Sequence, residues 1–156
     1  MKKYALLAGL AVGALFIGSS PASAAPPTSA TGTATRTSFT VTSLKTVGDV
    51  TFFTFDQDST ITGTIAGTAF FSGSCMQGST GPIRCVAAET FTGTALGRSG
   101  TLEVANYFTI DPVTLANKGV FASVRGTGGL AGAHVRGTFA GQGDVADYTA
   151  EIVLAP

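Results

Sequence analysis

Charge is scarce in this sequence: nine Lys and Arg and nine Asp and Glu make up 12% of the 156 residues. None of it forms a basic run or stripe, which excludes an electrostatic nucleic-acid surface. Histidine occurs once, at His134, and cysteine twice, at Cys75 and Cys85. With no cluster of further ligands nearby, a structural zinc site is excluded, and neither a metal nor another cofactor is expected. Helical periodicity is missing as well. No segment repeats apolar residues at helical spacing, and Thr-Gly pairs such as Thr62-Gly63, Thr92-Gly93 and Thr127-Gly128 depress helix propensity throughout. Several catalytic signatures are also absent. There is no CxxC redox pair, and Gly97-Arg98-Ser99-Gly100 lacks the spacing of a nucleophile elbow. Gly126 to Gly132, GTGGLAG, has no following GK[ST] and is no phosphate loop. Asp56-Gln57-Asp58 lacks the spacing and glycine of an EF-hand loop and reads as a solvated turn.

What the sequence does contain begins with an export signal. Lys2 and Lys3 precede an apolar run from Tyr4 to Ile17, and Ala22-Ser23-Ala24 supplies the small-residue cleavage site. The apolar run is shorter than the roughly 20 residues of a spanning helix, so cleavage between Ala24 and Ala25 is expected. No later stretch is apolar enough to span a bilayer, and the protein is expected outside the cytoplasm. Removing residues 1–24 takes two lysines with it, leaving 9 − 2 = 7 basic against 9 acidic residues and a net charge of 7 − 9 = −2. Residues 25–35 are rich in Pro, Ser, Thr and Gly and read as a flexible lead-in. Residues 36–156 suit a single domain with one core.

Within that domain, short runs rich in β-branched and aromatic residues alternate with turn signals. Arg36 to Leu44 places Phe39 and Val41 on one face; Val47-Gly48-Asp49 turns the chain into Val50 to Phe55. Asp56-Gln57-Asp58 is expected to interrupt that strand, as a bulge, before Ser59 to Ile65. Further strands are read at Gly67 to Ser74, Ile83 to Thr92, Thr101 to Ile110, Gly119 to Arg125, Val135 to Phe139 and Tyr148 to Leu154. Two glycine-dense corners, GRSG and GTGGLAG, and the loop Asp111 to Lys118 separate the later ones, with at least one positive φ expected among Gly100, Gly128 and Gly132. About eight strands with short turns suit an all-β, up-and-down antiparallel barrel, calycin-like in general shape, which closes on itself and leaves no edges. A two-sheet sandwich is the competing arrangement. Cys75 and Cys85 flank one hairpin connection, and in an oxidising compartment such a pair reads as a disulfide closing a loop of about eleven residues.

Three segments carry a family resemblance. Ile61 to Phe71, Ala87 to Val104 and Gly126 to Phe139, read together and in order, resemble the bacterial DUF3224 family, grouped with the allene oxide cyclase barrels and more distantly with dirigent proteins. The resemblance spans about Arg36 to Leu154 and implies an eight-stranded antiparallel barrel with a central cavity. It brings no settled activity. In the related cyclases the cavity imposes a conformation on an apolar substrate, and none of their catalytic residues is carried over to this chain. The signal peptide and the cysteine hairpin depart from the family pattern and look like adaptations to an extracytoplasmic location.

Strand alternation then nominates the cavity residues. Glu89 shares a face with Ala87 and Phe91, and it matches the glutamate of the family's ETFTG-like segment. A carboxyl group inside an apolar barrel has a raised pKa and can act as an acid or orient a ligand. The alternative is a solvent-facing Glu89, or one paired with Arg98 or Arg125. Asn106 shares a face with Leu102, Val104 and Phe108 and offers either donor and acceptor groups to a ligand or a bond to a neighbouring strand. Phe53, Phe91, Phe108 and Phe139 are expected as aromatic walls. Tyr107 lies on the opposite face with Glu103, an outer surface that leaves a homo-oligomer open. His134 falls at a corner and reads as a solvated loop residue. Three functions fit: an exported barrel binding a small apolar, lipid- or polyene-like molecule; a cofactor-free cyclase or isomerase of the allene oxide cyclase type; and a filled barrel that presents only its outer surface.

Overall fold

The computed structural model describes residues 26–155. The expected export signal and its expected cleavage site lie outside them. Eight strands follow one another in the chain: β1 (Thr28–Val47), β2 (Val50–Gly63), β3 (Ile65–Gln77), β4 (Ile83–Ala95), β5 (Arg98–Ile110), β6 (Ala116–Gly128), β7 (His134–Gln142) and β8 (Val145–Val153). Each pairs antiparallel with the next, and β8 returns to β1, so the sheet closes into an up-and-down barrel.

Three local readings of the sequence need correction. Residues 28–35 are not a loose lead-in. They form the start of β1 and pair with β8 from Thr28↔Ile152 to Thr35↔Val145, closing the barrel. Their backbone pairs with β8 throughout and with β2 from Gly32 onward, while their small side chains bury little beyond Ala30, so they carry almost no apolar signal. Asp56-Gln57-Asp58 does not break β2, which runs unbroken to Gly63. The irregularities lie in the facing strand, where β1 shifts register between Arg36 and Ser38 and again between Val41 and Ser43. Each shift inserts one residue and reverses which face the next side chains take. That is how Arg36, Phe39, Val41 and Leu44, which do not alternate in sequence, all come to face the lumen. The GRSG corner is shorter than expected. Leu96 and Gly97, at φ 50° and 78°, make the two-residue turn, and Arg98 already pairs with Ala95. In GTGGLAG, Gly128 and Gly132 take positive φ, 61° and 68°, whereas Gly100 lies inside β5 with ordinary φ.

One end of the barrel is closed. Leu130, from the β6–β7 loop, tucks inside with 0% exposure beside Ala95 and Ile152. Tyr148 clamps this end: its hydroxyl accepts the Ile65 N–H at 2.9 Å and donates to the Ile65 carbonyl at 3.1 Å. The other end is open. The β1–β8 ladder stops at Thr35↔Val145, so the rest of β1 rises beyond β8 and leaves a mouth beside it.

The barrel is hollow because its aromatic rings lie against the wall. Phe55, Phe121, Phe139 and Tyr148 each face a glycine directly across the ladder: Gly73, Gly137, Gly119 and Gly32. A Cβ on any of these glycines would come within 2.5–2.7 Å of the facing ring or its hydroxyl. The absent side chain is what lets each ring settle outward onto the neighbouring strand instead of filling the lumen.

Candidate functional site

The lumen encloses a cavity of about 490 Å³ that reaches the open end. This lies within the roughly 300–1,000 Å³ range of small-molecule pockets. Phe53, Phe91, Phe108 and Phe139 line it, as do Phe39, Phe55, Phe71 and Phe121. The rings contact one another: Phe55 meets Phe108 edge-on at 6.3 Å, and Phe39 stacks on Phe55 at 5.3 Å. A filled core is therefore not what this barrel has.

Glu89 on β4 and Asn106 on β5 both open onto this cavity. Register places Glu89 across from Val104 and Asn106 across from Ala87, so the two are diagonal neighbours on the inner face. The Asn106 amide Nδ2 donates to Glu89 Oε2 at 2.9 Å. Burial drives the Glu89 carboxyl up from 4.5 to about 7, against a smaller downward pull from the Asn106 hydrogen bond. Some water contact persists through the cavity, since Glu89 is only half-buried, yet protein surrounds it closely enough to disfavour its charge. No buried side-chain oxygen or nitrogen among the described residues lacks a partner, which leaves the second Glu89 oxygen and Asn106 Oδ1 facing the cavity. Glu89 is not paired with arginine. Arg98 donates to the Ala155 carbonyl at 2.8 Å, and Arg125 pairs with Glu103 on the outer face.

Two further polar groups in the wall went unnominated from the sequence. Gln57 and Ser59 on β2 face inward in step with Phe53, Phe55 and Ile61. Ser59 is 4% exposed and its Oγ accepts from Gln57 Nε2 at 3.1 Å. Simple alternation onward from Phe53 and Phe55 would have found both, had the strand been carried through Asp56 and Asp58. At the mouth, the Arg36 guanidinium donates through Nε to Asp144 Oδ1 at 2.8 Å and lies 5.2 Å over the Phe39 ring.

The other sequence candidates fall elsewhere. His134 is exposed at the start of β7, opposite Val153. Asp147 takes the Thr33 hydroxyl at 2.8 Å, and Asp58 takes the Ser38 hydroxyl at 2.7 Å on the outer face. Tyr107 is outward and 49% exposed. Among the described residues no group of three or more His, Cys, Asp and Glu side chains is placed to hold a metal ion. Cys75 and Cys85 are joined, directly opposed across β3 and β4, and both are buried in the wall beside Phe55 and Ala87.

No protein-family model and no curated protein matches the chain. A crystal structure of a protein of unknown function from the DUF3224 family of Shewanella oneidensis MR-1 does match, over 84% of this chain and 100% of that one, with a TM-score of 0.71 and 19% identity. The fold is the DUF3224 fold. At the level of architecture this bears out the resemblance seen in the sequence. In this chain the Cys75–Cys85 bridge joins β3 to β4 within their hairpin.

Proposed function

We propose that this barrel is exported and holds one small apolar molecule in its lumen, with a polar group of that molecule seated at Glu89 and Asn106. The observation that carries the reading is the hollow, aromatic-walled cavity with a hydrogen-bonded carboxyl–amide pair in its wall. Burying two polar side chains in an apolar lumen costs free energy unless each is satisfied. Here each satisfies the other once and keeps one oxygen for a guest. The signal-like N-terminal sequence and the disulfide support export.

Native mass spectrometry of protein recovered outside the producing cells should show a bound lipid- or polyene-like molecule. Asn106→Ala should release it while the barrel stays folded, at a lowered melting temperature because Glu89 loses its partner. An empty protein that also fails to take up a neutral apolar dye would overturn the reading. The near-neutral pKa of Glu89 favours one second reading, a cofactor-free cyclase or isomerase in which Glu89 is the general acid. Release of an isomer of the molecule taken up would distinguish it, and Glu89→Gln should abolish that conversion.

A further inference from the structure

The Gln57–Ser59 pair and the charge inventory of the lumen narrow the kind of guest. Apart from these two, the inward face of β2 is lined mainly by Phe53, Phe55 and Ile61, and apolar residues would pack there at lower cost. After the single Gln57–Ser59 bond, the Gln57 carbonyl and the Ser59 hydroxyl proton remain for a third party. Gln57, Phe71 and Glu89 form one row across β2, β3 and β4. The two polar stations therefore sit two strands apart, about 10 Å along the wall, with a phenylalanine between them.

Charge gives the second constraint. Among the described residues, the charged side chains lining the cavity are Arg36, Asp144 and Glu89. Arg36 is already committed to Asp144 and to the Phe39 ring. An incoming carboxylate would meet no unpaired cation, and the remaining charged residue of the lining, Glu89, is itself an acid. Burying an ion without a partner is far costlier than burying a hydroxyl that can hydrogen-bond.

We infer that the cavity takes an uncharged, elongated molecule with two oxygen functions, one held by Glu89 and Asn106 and the other by Gln57 and Ser59, and rejects fatty-acid anions. This rests on the ligand-binding reading above and specifies its guest.

The test is displacement of the neutral dye N-phenylnaphthylamine from the unaltered protein by decanol, decanoic acid and α,ω-decanediol. It is run one pH unit below and one above the Glu89 pKa. Decanol should compete at least about tenfold better than decanoic acid at both values, because the missing cation matters even when Glu89 is neutral. The diol should gain roughly threefold to tenfold over decanol, the scale of one net hydrogen bond. Gln57→Leu with Ser59→Ala should erase that gain, so that the variant binds the diol no better than decanol. The exposed change Asp144→Asn should free Arg36 and improve decanoic acid several-fold. Acid binding as well as alcohol, a diol gain that survives the β2 changes, or an acid affinity indifferent to Asp144→Asn would each overturn the inference. Uptake of neither dye nor any of the three compounds would instead remove the binding reading itself. The acid–alcohol comparison needs no variant, so a misfolded β2 variant does not shield the proposal.

Discussion

Glu89 should make this protein less stable as pH rises through neutrality. Its carboxyl sits at about 7 in the folded barrel and at 4.5 as an ordinary glutamate. Below 4.5 the group is protonated in both states, and stability is independent of it. Between the two values the unfolded chain has lost the proton while the barrel keeps it, so each rise in pH favours unfolding. Above 7 both are ionised and the full penalty is present. The span of 7 − 4.5 = 2.5 units corresponds to about 3 kcal/mol at 1.36 kcal/mol per unit. Water in the cavity solvates part of the charge, so about 3 kcal/mol is the upper figure. Glu89→Gln keeps an oxygen to accept from Asn106 Nδ2 but cannot ionise. The variant should match the parent in acid and exceed it increasingly from pH 4.5 upward, by as much as roughly 10 °C in melting temperature above pH 7. Paired thermal melts at stepped pH measure the difference. Asp111, held below its usual pKa by the Thr114 and Val113 backbone N–H groups, loses its contribution in acid in both proteins and cancels. Parallel curves for parent and variant across this range would refute the buried carboxyl.

Three further outcomes are expected. Exported protein should have an intact mass that begins at Ala25 and lacks two hydrogens for the Cys75–Cys85 bond. Its reduction should cost up to about 3 kcal/mol for a loop of this length, and free thiols in the exported form would contradict the bridge. Tyr148→Phe should cost roughly 1–3 kcal/mol in a denaturant titration, because the Ile65 N–H and carbonyl both lose their partner at the closed end. A smaller loss would mean that this clamp is not closing the barrel. Gly128→Ala should cost on the order of 1 kcal/mol from its positive φ alone, and an unchanged melting temperature would remove that constraint.

The parts of the fold visible in the sequence were those where one face is apolar and the other is not. Phe91 and Phe108 carried Glu89 and Asn106 inward with them because alternation is rigid over a few residues. The same logic failed where polarity was uniform. Residues 28–35 hold only Thr, Ser, Ala and Gly, which gives no large apolar side chain to mark a face, although the ladder to β8 is regular. Gln57 was lost because Asp56 and Asp58 looked like a break, whereas acidic residues on the solvent face leave the strand intact. The two register shifts in β1 were invisible for another reason. They depend on how β1 must bend to follow the barrel, a property of the closed sheet and not of any local segment.

The four rings that face glycines are already as far outward as the wall permits. Phe55, Phe121, Phe139 and Tyr148 rest against backbone with no side chain between, so a bulky guest cannot push them further. Tyr148 is also held by its two bonds to Ile65, and the three phenylalanines can turn only toward the axis. The lumen can thus contract around a slender molecule but cannot dilate around a stout one without parting strands. Its capacity has a hard ceiling and a soft floor, and selection by girth comes from the backbone and not from any residue the guest touches.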